Sequence, residues 1–299
     1  MAYWYEFCND EIKYIKQKLA KKIDILYNFF EFFNMADTSK NYILIDTSYF
    51  IFYRYYALIG WWKLANPEIV LGNPIENTEF VDKFKKTFKD KLDEIPKKLK
   101  IKKYTMLAGL DCPRLKIWRH SLFDKYKENR VYDDAFLGGP FFALGIQLLN
   151  DLNITTLAHP VLEADDCNAL AAKYILSQQP ESLIYIIAND MDYLQLAGPN
   201  VKLINLKYKY LTDSKKWSGD AEQDLFCKIV MGDKSDDIPS VFKKCGPKTA
   251  LKYYENKAAF EEQLKKENAY EKYEKNKKLV DFNEIPEDLA LEFLVNLTI

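Results

Sequence analysis

Residues 163–174 read Glu163-Ala164-Asp165-Asp166-Cys167-Asn168-Ala169-Leu170-Ala171-Ala172-Lys173-Tyr174. Three acids open an apolar helix. Acids in a first turn complement the helix dipole, so the tetrapeptide taken alone is a capped surface helix. Four other stretches displace that reading, because each delivers carboxylates from a place where a strand or turn would project them: Asp46, Asp111, Asp190 with Asp192, and Asp233 with Asp236. Carboxylates gathered in this number repel one another unless a polycation sits among them.

Upstream, residues 41–45 (NYILI) form a short apolar run that ends in Asp46-Thr47-Ser48. A buried parallel strand presents an acid at its carboxyl end in this way, and α/β sheets place their sites there. Residues 103–110 repeat the pattern and end in Asp111, and residues 183–188 (LIYIIA) repeat it again before Asn189-Asp190-Met191-Asp192. Residues 153–157 form one more strand, after a helix over 141–152. Strands alternating with helices, with acids at successive strand ends, predict a parallel three-layer α/β fold. Chain order does not reveal strand order. Most of the aromatics at 49–56 are expected in the core, while one near a strand tip could stack a nucleobase.

Between the first two strands, a helix from Thr78 shows the apolar face Val81, Phe84, Phe88, Leu92 and Ile95. Ten lysines lie between 83 and 103, but Asp82, Asp90, Asp93 and Glu94 are interleaved, so they read as a solvated helix face. The better electropositive stretch follows Asp111. Arg114, Lys116, Arg119, Lys125, Lys127 and Arg130 alternate there with Trp118 and Tyr126, the phosphate-plus-stacking composition of single-strand contacts.

Downstream, a helix over 225–231 stops at Gly232-Asp233-Lys234-Ser235-Asp236-Asp237-Ile238-Pro239, and a second helix over 249–254 starts after Cys245-Gly246-Pro247-Lys248. Helix, glycine-containing hairpin and helix make a backbone-binding device whose amides and second helix N-terminus point at phosphate. Residues 256–278 are rich in lysine and glutamate and read as a solvated helical tail. At the other end, apolar residues at three-and-four spacing over 4–33 predict one long amphipathic helix packed on the domain or offered to a partner, with Met35 an alternative start.

The totals exclude several classes. With 299 residues the chain can bury a real core as one large α/β domain plus an appendage. Forty-three basic against 44 acidic residues leave the distribution of charge, rather than its sum, to decide on a nucleic-acid partner. Five cysteines without CxxC spacing point to free thiols in a reducing compartment. His120 and His159 are too few for a histidine metal site and stand in no Ser/His/Asp pattern. No apolar run reaches the roughly 18 residues of a membrane span, and Glu6, Asp10 and Glu11 are wrong for a signal peptide, so a soluble intracellular protein is expected.

Phosphodiester hydrolysis needs a nucleophilic water at neutral pH and a sink for leaving-group charge, and two Mg²⁺ ions roughly 3.5–4 Å apart supply both. Nine carboxylates, Asp46, Asp111, Glu163, Asp165, Asp166, Asp190, Asp192, Asp233 and Asp236, suit two hard cations, some through water.

Six motifs in order, LIDTS, LAGLD, YKENR, EADD, NDMD and MGDKSDDIP, make the chain resemble the flap endonuclease/5′-3′ exonuclease family of PIN-like nucleases, over residues 41–290. The bacteriophage enzymes and the 5′ nuclease domain of DNA polymerase I are the members it is most similar to. Beyond the N-terminal helical extension (1–40) read from its apolar spacing, the resemblance implies a PIN-like catalytic domain with a mainly parallel sheet (41–215) and a helix-three-turn-helix DNA-binding subdomain (216–299). It implies Asp46, Asp111, Glu163 and Asp165 around a first metal, and Asp190, Asp192 and Asp236 around a second. Asp166 and Asp233 would be close or water-mediated partners. Lys127 and Arg130 would contact the scissile phosphate and the 5′ strand, with Arg119 and Lys125 as supports. Arg114, Tyr126, Gly246, Lys248 and Thr249 complete the implied DNA contacts. Mg²⁺ is the implied cofactor, with Mn²⁺ as a substitute and K⁺ at the helix-three-turn-helix. DNA is the implied partner of a monomer that cleaves 5′ ends, flaps or RNA-primed strands in replication or repair; a phage source is compatible.

Three departures stand out. Thr47 follows Asp46 where the family has glycine, a lysine replaces a second hairpin glycine, and the short segment between Arg130 and Glu163 leaves no room for a long helical arch. A catalytically silent nucleic-acid-binding scaffold on the same fold and an RNA-directed PIN ribonuclease are the alternative readings.

Overall fold

Tyr42 and Leu44 alternate along one strand with Ile43 and Ile45, and all four are buried, so this strand is covered on both faces. It is β1 (Asn41–Asp46), the centre of a five-stranded sheet with β2 (Thr105–Gly109), β3 (Thr155–Leu157), β4 (Leu183–Ile187) and β5 (Val201–Ile204). The order is β3-β2-β1-β4-β5 and every pairing is parallel. A computed structural model describes residues 41–130 and 136–297 of the chain. The amphipathic helix expected over 4–33 lies outside the described residues.

Parallel strands need crossovers, and the crossovers supply the outer layers. On one face lie α1 (Thr47–Ala65), α2 (Thr78–Lys98) and α3 (Gly139–Asp151), packed on Ile43, Ile45, Ala108 and Ile187. The buried stripe of α2 is Phe80, Phe84, Phe88, Leu92 and Ile95, as its spacing predicts, and Asn77 caps it by accepting from Phe80 N. Each such side chain contributes about 1.5–3 kcal/mol. On the other face α4 (Ala164–Gln178) lays Cys167, Leu170, Ala171 and Ile175 on Tyr42, Leu44, Leu107, Ile184 and Ile186. The three-layer α/β fold is therefore as expected. β5, four residues at the sheet edge, is a strand the sequence reading did not include.

Beyond the sheet the chain forms α5 (Ala221–Met231), α6 (Pro247–Glu255), α7 (Lys257–Glu267), α8 (Tyr270–Val280) and α9 (Glu287–Val295). α5 and α6 are the two helices expected to flank the hairpin. The lysine- and glutamate-rich stretch is not simply a solvated tail: Phe260 and Leu264 pack on Phe226, Val241 and Phe242. After it, Phe282, Ile285 and Phe293 return to the layer over α4. Cys112, Ile117 and Tyr126 likewise pack with Ile229, Ile238 and Leu279, so the two sides of the expected boundary at 215/216 share a core. Among the described residues no helix is long and apolar enough to cross a membrane.

The strand order reverses between β1 and β4. At such a switch point two neighbouring crossovers depart on opposite sides and leave a crevice beyond the strand ends. Asp46 ends β1, Asp111 follows β2 by two residues, and Asp190 follows β4 by three.

Candidate active site

Asp46 is also the N-cap of α1: its Oδ1 accepts from Tyr49 N at 2.9 Å. Asp111 accepts from Ser48 Oγ at 2.5 Å and from Ala164 N at 2.9 Å, which ties the ends of β1 and β2 to the start of α4. The close approach of α4 requires glycine at 109, where a Cβ would lie 2.7 Å from Asn168 Oδ1 and 2.8 Å from Ala164 O. Burial, with Asp111 and Asp190 adding repulsion, raises Asp46 from its ordinary carboxylate value to about 7. Burial and the charges of Asp166 and Glu163 hold Asp165 well above the carboxylate range.

Asp166 and Arg119 depart from expectation together. Asp166 is fully buried and closes a capping box with Glu163 at the head of α4. Its oxygens accept from Arg119 Nη1 and Nη2 at 2.7 and 2.6 Å, from Trp118 Nε1 at 2.9 Å and from Glu163 N at 3.2 Å. Oδ2 takes three of these bonds and Oδ1 one, so Arg119 already balances the charge of a carboxylate that lies close to Glu163 and Asp165. Arg119, expected beside the 5′ strand, is 2% exposed. It also donates to Glu163 Oε2 at 3.0 Å and to Leu279 O at 2.9 Å, so it is a bolt between α4 and α8 and cannot reach DNA. Tyr126, expected as a DNA contact, is buried as well, and its hydroxyl lies 3.1 Å from both Glu163 Oε2 and Asp236 Oδ2. The 3-10 turn over Trp118–Ser121 has no periodicity from which this inward aim could be read.

Lys127 and Arg130 do face the acids. Lys127 adopts φ 57°, its N–H donates to Asp236 O at 3.0 Å, and its ammonium pairs with Glu163, with Asp236 3.8 Å away. Burial works against that charge, but Glu163 and Asp236 outweigh it and raise the lysine above its ordinary pKa. Left-handed backbone at a non-glycine residue persists only where its surroundings enforce it. Here Arg114 does so: its guanidinium donates to the carbonyls of Lys127, Glu128 and Arg130. Arg114 therefore staples this turn from beneath. Arg130 Nη2 donates to Asp236 Oδ1 at 2.6 Å, and Lys125 is exposed. Asn129 grips Asp237 through its N–H and its side-chain amide, at 2.8 and 2.7 Å.

A second carboxylate group gathers Asp192, Asp233 and Asp236, with one ligand atom from each within 4.8 Å of the others. Asp233 and Asp236 stand on a turn closed by reciprocal bonds between Asp233 and Ile238 at 2.9 and 2.8 Å. Gly232 opens that turn at φ 72°, and a Cβ there would lie 2.3 Å from Ile238 O. Lys228, in the last turn of α5, pairs with Asp192 and lies 2.7 Å from Asp233. Against burial, Lys228 and Ser235 bring Asp233 down to about 2. The sequence reading passed over Lys228; a cation one turn before an acidic loop, at a helix C-terminus, is the signal that could have found it. Asp190 is exposed, its Oδ1 accepting from Asp192 N at 3.0 Å.

The donors fit hard divalent cations. The open carboxylates are all-oxygen ligands, Asp46 and Asp165 are raised by burial and by the charges of neighbouring acids that a cation would offset, and lysine ammoniums already rest on both groups. Grooves of about 460 Å³ beside β3 and about 530 Å³ beside β5 touch none of these acids. Asp111 and Asp190 are exposed and Asp46, Asp165, Asp192 and Asp233 partly so, whereas Glu163, Asp166 and Asp236 are buried behind them. At the hairpin, Gly246 caps α6 and its carbonyl accepts from Thr249 N and Ala250 N at 3.0 Å, with Lys248 exposed on the first turn.

Residues 41–223 match the family described as 5′-3′ exonuclease, N-terminal resolvase-like domain. A 5′-3′ exonuclease of Buchnera aphidicola is 31% identical over 213 residues, which are 70% of this chain and 68% of that protein. DNA polymerase I of Bacillus caldotenax is 33% identical over 157 residues, 49% of this chain and 17% of the polymerase. The phage T4 protein named ribonuclease H is 29% identical over 222 residues, 65% of this chain and 70% of its own length. Among solved structures, the bacteriophage T5 D15 protein co-crystallised with metal ions superposes with a TM-score of 0.59 at 17% identity, covering 86% of this chain and 97% of that one. A T5 flap endonuclease variant in complex with DNA and metal ions has the same fold, with a TM-score of 0.58 at 18% identity over 86% of this chain and 97% of its own. The acids at the strand ends, their basic neighbours and these likenesses agree: the chain belongs to the 5′-3′ exonuclease/flap endonuclease family and is a nuclease.

Proposed function

We propose that the chain is a Mg²⁺-dependent, structure-specific 5′ nuclease that hydrolyses DNA phosphodiesters with two metal ions during replication or repair. The observation that carries this reading is the convergence of carboxylates from the ends of β1, β2 and β4, the head of α4 and the 232–239 turn on one open edge, with Lys127, Arg130 and Lys228 among them. Asp46, Asp111, Glu163 and Asp165 would hold one ion, and Asp190, Asp192, Asp233 and Asp236 the other. Bound there, the ions would lower the pKa of a water and neutralise charge on the leaving oxygen.

The chain's own residues do the rest. Lys127 and Arg130 are carried on a turn fixed by Arg114 and by the Asn129–Asp237 pair, so their charges are placed before the substrate arrives. Preorganised charge counts most where negative charge develops in the transition state. The first turn of α6, with Gly246, Lys248 and Thr249, would take duplex phosphates without reading bases. K⁺ at this hairpin belongs to the same reading, and exchanging KCl for NaCl in a DNA-binding titration tests it.

The deciding experiment incubates 5′-labelled flap, nicked and blunt DNA with Mg²⁺, Mn²⁺ or EDTA. An RNA-primed duplex is added because the T4 relative is named a ribonuclease H. Short 5′ products with either ion and none with EDTA are expected. Binding without cleavage of any substrate, with both ions, favours a scaffold; cleavage of RNA alone favours a ribonuclease.

A further inference from the structure

Tyr193 directly follows Asp192 on the 3-10 turn Met191–Leu196, is fully buried, and reaches back beneath the site. Its hydroxyl lies 3.4 Å from Asp46 Oδ2 and 3.0 Å from Asn168 Nδ2. An amide NH₂ only donates and a phenol has one proton, so the tyrosine oxygen accepts from Asn168 and its proton is aimed at Asp46. The orientation of Asn168 is fixed in turn. Its Nδ2 also lies 3.4 Å from Ile45 O, the residue before Asp46, and reversing the amide would set two acceptors against each other there. Asn168 is fully buried and its Oδ1 has no partner, packed instead over Gly109, the register partner of Asp46.

The position of this link matters. The last rung between β1 and β4 pairs Ile45 with Ile187, and beyond it the two strands no longer pair: Asp46 stays on β2 through Gly109, while Asp190 and Asp192 lie on the turn that follows β4. The Tyr193–Asp46 contact crosses that gap, while Tyr126 makes a second crossing between Glu163 and Asp236 on the other side. Two ions acting on one phosphate need a separation of roughly 3.5–4 Å, which leaves little tolerance for drift between the turns.

We propose that Tyr193, set by Asn168, is a positioning residue that fixes the spacing between the two carboxylate groups. The inference rests on the two-ion reading above. Partners of this kind behind metal ligands change metal affinity by about 10–100-fold when removed.

The test loads the protein with Mn²⁺ and reads both ion affinity and Mn²⁺–Mn²⁺ spin coupling by electron paramagnetic resonance, in wild type, Tyr193→Phe and Asn168→Ser. Tyr193→Phe keeps the buried ring and removes only the oxygen. It is expected to melt with wild type in EDTA, to bind one of the two ions about tenfold more weakly, and to show altered coupling. At saturating Mn²⁺ its kcat should fall with KM for DNA unchanged. Asn168→Ser should move affinity and coupling the same way, and Tyr193→Phe should add nothing in an Asp46→Asn background. A coupled pair in wild type with wild-type affinity and coupling in Tyr193→Phe overturns the spacing role while the two-ion reading stands. No coupled pair in wild type overturns the two-ion reading, and the inference with it.

Discussion

The two carboxylate groups hold the same kind of side chain in opposite electrostatic states. Around Glu163 and Asp165 the nearest carboxylate, Asp166, is locked to Arg119, and Asp165 is left with burial and repulsion that push it well above the ordinary range. Around Asp233 the lysine of α5 and the Ser235 N–H and hydroxyl, at 2.7 and 2.6 Å, pull the carboxyl down to about 2. The scaffold differs as well. The first group is anchored in the sheet core, whereas Asp233 and Asp236 stand on a turn between appended helices. One half stores repulsion and the other has discharged it, so cations should stabilise the first half more.

The sharpest way to break this comparison is Asp165→Asn. We expect cleavage to be abolished, the metal-free protein to be as stable as wild type or more so, and the rise in melting temperature on adding Mg²⁺ to shrink. Melting curves with EDTA and with Mg²⁺ beside a cleavage assay check all three. A destabilised metal-free variant that still cuts DNA would sink the assignment of Asp165. Next in size is Arg119→Ala, which strands buried Asp166 without its partner. It should cost about 3–5 kcal/mol in urea unfolding, and Arg119→Lys should not restore the loss, because one ammonium cannot replace a two-pronged guanidinium. If Arg119 were instead a DNA contact, the alanine variant would fold normally and bind DNA less tightly.

The strand-end acids were legible because an apolar run that stops at an aspartate carries its own geometry: the carboxyl end of a buried parallel strand faces a crevice. The direction of the basic and aromatic residues was not legible. Arg119, Lys127 and Tyr126 have the composition of a nucleic-acid surface, yet two of the three are bolts inside the protein and Lys127 is 8% exposed. Composition reports which chemistry a segment can perform, while 3-10 turns lack the period that would say which way each residue points. Tyr193 escaped notice for a related reason, since it meets Asp46, 147 positions away in the chain.

A pH series sharpens the first half of the comparison. The Asp46 carboxyl is raised to about 7 in the folded protein and lies near 4 when unfolded, so the folded state holds the proton more tightly. Its stabilisation is therefore full below about pH 4 and is lost as pH rises through about 7. Metal-free protein should lose about 2–4 kcal/mol over that window, and Asp46→Asn should flatten the curve. A melting temperature in EDTA that rises from pH 4 to 7, equally in both proteins, would contradict the stored repulsion. The smallest expected effect is Lys248→Ala at the head of α6. It should leave stability within about 0.5 kcal/mol and weaken DNA binding equally across sequences. The salt slope should fall by about one unit. Sequence-dependent weakening would remove the hairpin from the phosphate-only class.

Arg119 Nε is satisfied by the carbonyl of Leu279, 160 positions further along the chain. During synthesis all nine acids are therefore exposed before the residue that locks Arg119 exists. At about 5–20 residues added per second, Leu279 arrives on the order of ten seconds after Arg119. Until then the guanidinium lacks its third anchor, α8 is absent from beneath the YKENR turn, and a nascent chain carries the carboxylates without the frame that aims them. Assembly of the cutting edge thus waits until α8 has been made.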